Sequence, residues 1–211
     1  MKCLLLANGE YGDITIYYSL VQQMDIVLCA DGGANYAYQM GITPDCILGD
    51  LDSIDPQVKD YFISQKVLFK EFPPAKDFTD TQLTLELAWE LGADEIICLG
   101  TLGGRLDHTM ANLYSCMEAA RQGKKIIHFG PQVTVYMITG PLRLRGRRGD
   151  TVSLIVLSEK AEGVTLQNFV YPLTDALLLK ENPYAVSNRM ADDTAEINLA
   201  SGVIAVFHYR S

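Results

Sequence analysis

The sequence predicts an α/β N-terminal domain, a mainly parallel sheet with helices on both faces, followed by a small all-β C-terminal domain of the sandwich or barrel type. Three observations predict it. From residue 2 to about 129, short apolar runs alternate with helix-forming segments, the pattern of a parallel sheet with crossover helices. After Gly130-Pro131 the helical period vanishes and short apolar or alternating runs are broken by Gly, Pro, Asn and Asp, as in all-β domains. The 211 residues suffice for one large domain or two small ones with a real core. The expected domains are 1–134 and 135–211.

The elements follow in order. Lys2–Ala7 is an apolar run stopped by Asn8-Gly9, and residues 14–23 are mixed and helical. Asp25–Ala30 is a second strand, ended by Asp31-Gly32-Gly33. Ala34–Met40 is helical and stops at Gly41, a C′ glycine. Cys46–Leu48 is a third strand. Asp55-Pro56 opens a helix to about Ser64, with an N-cap and a proline at N1. Val67–Phe69 is the fourth strand, closed by Pro73-Pro74. Thr79 and Gln82 fit a capping box, with Asp80 in the first turn where negative charge suits the helix dipole. Leu83, Leu87 and Leu91 then form an apolar stripe, and Trp89 reads as a packing residue. Ile96–Leu99 is the fifth strand, followed by a helix from about Asp107 to Gln122 and a strand at Lys125–Phe129. Beyond it come runs at 133–138, 142–145, 151–157, 164–169, 176–180, 195–199 and 203–209. Arg143 and Arg145 alternate with Leu142 and Leu144, so they belong on the wet face of a strand, with a hairpin turn at Gly146–Gly149.

Composition excludes several functions. No apolar run reaches the roughly 18 residues of a membrane helix, and the N-terminal run is too short for a signal peptide, so no membrane association is expected. The net charge of −9 argues against a nucleic-acid surface, which needs basic patches. The 5 cysteines lie far apart without Cys-x-x-Cys spacing; buried free thiols in a reducing cytoplasm are the simplest reading.

The chemistry starts from Gly49-Asp50-Leu51-Asp52-Ser53, directly after the third strand. In extended chain Asp50 and Asp52 point to one side, with Cα atoms roughly 6.6 Å apart. Carboxylates at ~4 Å repel by about 4 kcal/mol at an effective dielectric of 20 unless a cation sits between them. Oxygen-only ligands suit Mg²⁺. A solvated acidic turn is the alternative reading of this pair. Ligands of parallel sheets bind at the carboxyl ends of the strands, and the unusual polar groups all fall there. Asn8, Gly9 and Glu10 follow strand one, Asp31, Gly32 and Gly33 strand two, and Asp50 and Asp52 strand three. Lys76, Asp77, Thr79 and Asp80 come after strand four, and Gly103, Gly104, Arg105 and Asp107 after strand five. The carboxylates can hold Mg²⁺, the glycine pairs admit a phosphate to backbone N–H groups, and Lys76 and Arg105 add positive charge. There is no G-x-x-x-x-G-K-[ST] loop, no Gly-x-Ser-x-Gly elbow and no Cys poised with a His. Metal-assisted phosphate transfer by positioning and charge neutralisation remains. His108 either touches substrate or packs at a helix start.

These motifs resemble a known family. LANGE (Leu6–Glu10), ADGGAN (Ala30–Asn35), PDCILGDLDSI (Pro44–Ile54), KDFTDTQ (Lys76–Gln82) and TLGGRLDHTMANL (Thr101–Leu113) look like thiamine pyrophosphokinase. So do GDTVSLIVLS (Gly149–Ser158), GVTLQNFVYPL (Gly163–Leu173) and VSN (Val186–Asn188), so that the resemblance spans nearly the whole chain. It implies an enzyme that moves the pyrophosphoryl group of ATP onto the thiamine hydroxyl, giving thiamine diphosphate and AMP. Domain 1–134 would bind ATP, and domain 135–211 thiamine and the second subunit of a homodimer. Asp50, Asp52 and Asp80 would hold Mg²⁺, with Asp31 and Asp107 completing the acidic site. Asn8, Gly9, Gly32, Gly33, Lys76, Asp77, Thr79, Gly103, Gly104 and Arg105 would meet ATP and its phosphates. Ser187, Asn188, Tyr171 and Asp107 would meet thiamine. Two departures concern thiamine contact: Asn168-Phe169-Val170-Tyr171 stands where Gly-Leu-Lys-Tyr is frequent, and Arg189–Asp193 lacks an aromatic residue. A pyrophosphokinase for another primary alcohol, such as a hydroxymethylpterin, and a catalytically silent thiamine sensor are the alternatives. The intact acidic set speaks against the sensor.

Overall fold

The computed structural model describes residues 1–75 and 77–210. They form two compact units: Met1–Asn112 with His128–Pro131, and Leu113–Ile127 with Gln132–Ser211.

In the first unit, β1 (Lys2–Leu6), β2 (Ile26–Ala30), β3 (Cys46–Gly49), β4 (Leu68–Glu71) and β5 (Glu95–Leu99) make a parallel sheet. Their order is β5-β1-β2-β3-β4. β1 pairs with β2 on one side and β5 on the other, so the direction of winding reverses between β1 and β5. β1, β2, β3 and β5 are near-continuous buried apolar runs because helices cover the sheet, while the edge strand β4 ends in Lys70-Glu71 and is mostly exposed. α1 (Tyr18–Val21), preceded by a 3₁₀ turn at Ile14–Tyr17, α2 (Gly33–Gln39), α3 (Pro56–Ser64) and α4 (Asp80–Glu90) are the connections. Leu4, Leu6, Tyr17, Cys29, Ile47, Phe62 and Leu99 are among the buried residues of the core.

The expected capping box of α4 is present: Thr79 Oγ1 accepts the Gln82 N–H at 3.2 Å, and Gln82 Oε1 accepts the Thr79 N–H at 3.0 Å. The stripe is rotated from its expected line. Thr84, Leu85, Leu87 and Ala88 are the buried residues, while Leu91 caps the helix end and is 48% exposed. Trp89 is half-buried, and its indole N–H is buried without a hydrogen-bond partner among the described residues.

The helix expected over 107–122 is two: α5 (Leu106–Ser115) and α6 (Met117–Arg121), broken at the buried Cys116. The Cys116 N–H turns to the Leu113 carbonyl, an i→i−3 bond that tightens the helix end. β6 (Lys125–Phe129) is divided between the units.

The second unit faces two antiparallel sheets. One has the order β12 (Asn188–Arg189), β9 (Thr151–Val156), β14 (Ile204–Tyr209), β7 (Val133–Ile138). The other has the order β11 (Leu173–Leu179), β10 (Lys160–Gln167), β13 (Thr194–Asn198), β8 (Leu142–Arg145). Val152, Leu154 and Val206 of the first sheet share a core with Leu144, Leu166 and Ile197 of the second, which makes a sandwich. α6 belongs to this unit, where the Thr139 hydroxyl donates to the Ala120 carbonyl at 3.1 Å.

Arg143 and Arg145 are exposed as expected. The turn after them is not a hairpin, because β8 pairs with β13 and β9 with β14, so Gly146–Gly149 passes from one sheet to the other. Asp150 and His208, both buried, set that corner. Asp150 Oδ2 meets His208 Nε2 at 2.9 Å and accepts the Arg147 N–H at 2.9 Å.

Candidate active site

A cleft of about 720 Å³ opens in the first unit at the carboxyl ends of the parallel strands. This is where ligands of such sheets bind, at the point where the winding reverses. Each loop reaches it for a local reason. The loop after β1 is drawn to β5 by the Ala7 N–H on the Leu99 carbonyl at 2.9 Å and the Glu10 N–H on the Leu102 carbonyl at 3.3 Å. Gly9 lies so close to the Gly100 carbonyl that a Cβ would collide with it. Gly33 has the same relation to the Leu6 carbonyl, which lets α2 start directly beneath the end of β1.

Asp31, Asp50 and Asp52 each present a carboxylate oxygen, all within 4.8 Å of one another. Asp31 is 8% exposed, Asp50 half-buried and Asp52 exposed. Asp31 sits at φ 44°, a left-handed conformation that Asp tolerates, and Leu51 at φ 62°, where an apolar side chain is uncommon. Such strain persists only where the surroundings over-determine it, which is common at functional sites. Burial raises the pKa of Asp31; the Ser53 side chain, the Gly32 and Ser53 backbone N–H groups oppose that, and the Asp80 charge adds to it. The Asp80 carboxylate is adjacent: a Cβ built on Gly49 would lie 2.9 Å from Asp31 Cβ and 3.1 Å from Asp80 Oδ1. The resemblance implies Asp50, Asp52 and Asp80 as ligands; the carboxylates whose oxygens lie within 4.8 Å of one another are Asp31, Asp50 and Asp52, and Asp80 is next to Asp31.

Asn8, Gly9, Thr79, Gly103, Gly104 and Arg105 also border the cleft. Gly32, Gly33 and Asp77 do not line it, although the glycines are buried just behind it. Lys76 lies outside the described residues. Asp107 does not line the cleft either. It is exposed and held by Arg105, whose Nη2 is 2.6 Å from Asp107 Oδ2, and this bond lowers the pKa of Asp107. An incoming phosphate would compete with Asp107 for the guanidinium.

Thr101 and Asn112 carry no role in the sequence reading, and Glu10 has only its place after strand one. Asn112 Nδ2 donates to the Thr101 carbonyl at 2.8 Å, and the Thr101 hydroxyl meets His128 Nδ1 at 2.8 Å. Thr101 and Asn112 line the cleft, and burial lowers the pKa of His128 to about 4. The available signal was His108 and Asn112 at i, i+4, which puts two polar residues on one face of α5. Glu10 lines the cleft against Gly103 and Gly104.

Tyr171, Ser187 and Asn188 belong to the second unit. Tyr171 is exposed. Ser187 has φ 58° and its N–H donates to Ser153 Oγ at 2.9 Å. Asn188 is buried and clasps the backbone: Oδ1 accepts the Tyr171 N–H at 3.1 Å and Nδ2 donates to the Tyr171 carbonyl at 2.7 Å.

A parallel sheet with an oxygen-only carboxylate trio, glycine turns and a cationic side chain at its switch point defines a phosphate-handling class of enzyme. Comparison with known proteins narrows the class. The family model "Thiamin pyrophosphokinase, catalytic domain" matches residues 17–128, and "Thiamin pyrophosphokinase, vitamin B1 binding domain" matches 141–204. The chain belongs to the thiamine pyrophosphokinase family of enzymes. It is 27% identical over 202 residues to the thiamine pyrophosphokinase of Bacillus subtilis, covering 95% of this chain and 94% of that protein. Among solved structures, thiamine pyrophosphokinase from Bacillus subtilis superposes with a TM-score of 0.87 at 24% identity, each chain fully covered. Thiamin pyrophosphokinase from Candida albicans superposes at 0.82 and 19% identity, covering 99% of this chain and 90% of that one. At these identities the structural matches speak for the fold.

Proposed function

We propose that this chain is an ATP- and Mg²⁺-dependent thiamine diphosphokinase. The thiamine hydroxyl oxygen forms a bond to the β-phosphorus of ATP, and the bond from that phosphorus to the α,β-bridging oxygen breaks. AMP leaves, the hydroxyl proton is released, and thiamine diphosphate is formed. The observation that carries this reading is the carboxylate trio Asp31, Asp50 and Asp52 within 4.8 Å, beside glycine turns in one cleft. Hard oxygen donors at that spacing fit Mg²⁺, which takes a few carboxylates and completes its shell with substrate phosphates. Asp50 and Asp52, with Asp80 or Asp31 alongside, would hold it, and it would supply charge neutralisation on the triphosphate. Asn8, Gly9, Thr79, Gly103 and Gly104 would shape the phosphate bed from the cleft wall, with Gly32 and Gly33 behind it; Lys76 and Arg105 would supply positive charge to the phosphates, and Asp77 would be a further contact of ATP. Tyr171, Ser187 and Asn188 of the second domain (135–211) are proposed as thiamine contacts, and Asp107 of the first domain is carried over separately as a candidate contact of the thiamine hydroxyl. A homodimer is part of the proposal: Leu106, Met110 and Tyr114 recur at i, i+4 and i+8 on α5, exposed by 74%, 44% and 42%. The free buried cysteines suit the cytoplasm.

The test is the product. Protein, Mg·ATP and thiamine should give AMP and thiamine diphosphate by mass spectrometry. ADP with thiamine monophosphate would overturn the reading, as would a faster reaction with a hydroxymethylpterin.

A further inference from the structure

We infer that Asn35 is a positioning residue for the carboxylate trio, its amide clamping the far end of the acidic loop so that Asp50 and Asp52 face Asp31 at cation-binding distance. The inference rests on the metal reading above and adds to it a residue that touches neither metal nor substrate.

The loop leaves β3 at Gly49 (φ 148°) and passes through Leu51 in the left-handed region. Leu51 and Ile54 are buried in the core and anchor the loop. Those two plugs leave the backbone between them, which carries Asp52 and Ser53, without an apolar anchor. Asn35 supplies the missing restraint. Its Nδ2 donates to the Ser53 carbonyl at 3.0 Å, and its Oδ1 accepts the Asp55 N–H at 3.0 Å. Asp55 is the N-cap of α3 and makes no side-chain cap bond, so Asn35 satisfies a helix-start donor from outside. The restrained Ser53 carries the geometry to the ligands: its hydroxyl donates to Asp52 Oδ1 at 2.9 Å, and its N–H to Asp31 Oδ1 at 3.4 Å.

Asp31 and Asn35 are one turn apart at the start of α2, where the Asn35 N–H bonds the Gly32 carbonyl. One helix start therefore carries one ligand directly and holds the loop of the other two. Asn35 does not line the cleft. Residues that orient metal ligands typically change metal affinity by roughly 10- to 100-fold; two half-exposed bonds belong at the low end.

The experiment is a Mn²⁺ titration followed by electron paramagnetic resonance on the full chain without nucleotide. Wild type, Asn35→Ala, Asn35→Gln and Asp52→Asn are compared. Glutamine keeps the amide but, one methylene longer, cannot reach both bonds from the same backbone. We expect the Mn²⁺ Kd of both Asn35 variants to rise about ten-fold. The Mg²⁺ concentration for half-maximal AMP formation should rise in parallel, with thiamine KM unchanged and kcat restored at saturating Mg²⁺. Unaltered Mn²⁺ affinity in both variants overturns the inference, as does a kcat loss that Mg²⁺ does not restore. If both variants fail to fold, Asn35 is a structural residue and the inference is likewise overturned. If wild type and Asp52→Asn bind Mn²⁺ equally, the metal reading itself fails, which the Asn35 variants alone would not reveal.

Discussion

Asp31→Asn is expected to stabilise the metal-free protein while abolishing its activity. The structure puts oxygens of Asp50 and Asp52 within 4.8 Å of Asp31. One such pair repels by about 3.5 kcal/mol at an effective dielectric of 20 and about 0.9 kcal/mol in bulk water. Asp50 is half-buried and Asp52 exposed, so screening pulls both pairs toward the lower figure. Two pairs near that lower figure sum to a gain of about 2 kcal/mol for the neutral side chain. Asparagine matches the shape, tolerates the φ of 44°, and its Oδ1 can still accept the Ser53 N–H. Burial raises the pKa of Asp31 above its ordinary 3.8, so the folded state binds that proton more tightly than the unfolded state does. The charge penalty is full above the raised value and fades as pH falls through it toward 3.8. The advantage of Asp31→Asn should therefore be present at pH 7 and shrink on acidification. Urea unfolding in EDTA measures the gain. Repeated with Mg²⁺, it should favour the wild type, which alone keeps the full ligand set. AMP formation should fall by orders of magnitude. A variant less stable than wild type in EDTA, or one within about ten-fold of its activity, would refute the reasoning.

Three further outcomes are expected. Gly33→Ala drives a methyl group into the Leu6 carbonyl and should cost roughly 1–3 kcal/mol by chemical denaturation, since backbone on both sides must shift. Thr79→Ala removes the α4 capping box and should cost about 1 kcal/mol, whereas Thr79→Ser should keep most of it. His128 titrates near 4 when folded against its usual 6.5, because burial disfavours its cation. Unfolding then takes up a proton between those values, so stability contributed above pH 6.5 is lost on acidification toward 4, by roughly 3 kcal/mol. His128→Gln should flatten that part of the stability–pH curve measured by thermal melting.

Much of this architecture was legible because its causes are local. Most strands of both units overlap the apolar runs, although the two-residue β12 has none and β10 starts ahead of its run; the Thr79–Gln82 box, the proline-led start of α3 and the wet Arg143 and Arg145 follow from spacing of a few residues. Where local pattern misled, a distant partner had intervened. Leu91 fits a stripe yet ends its helix in solvent, because Leu85 and Ala88 are the residues that meet the sheet side. Gly146–Gly149 reads as a hairpin, but β8 finds β13 and β9 finds β14. The acidic motifs could be located along the chain, but not the trio they make. Asp31 joins Asp50 and Asp52 because β2 and β3 are neighbours and because α2 starts where Asn35 can hold the loop beyond them. The cleft exists because β5 lies on the side of β1 away from β2. Residue order prescribes which groups are present and what each short segment does. Which groups meet depends on strand order and loop curvature, and those are set by contacts between residues far apart in the chain.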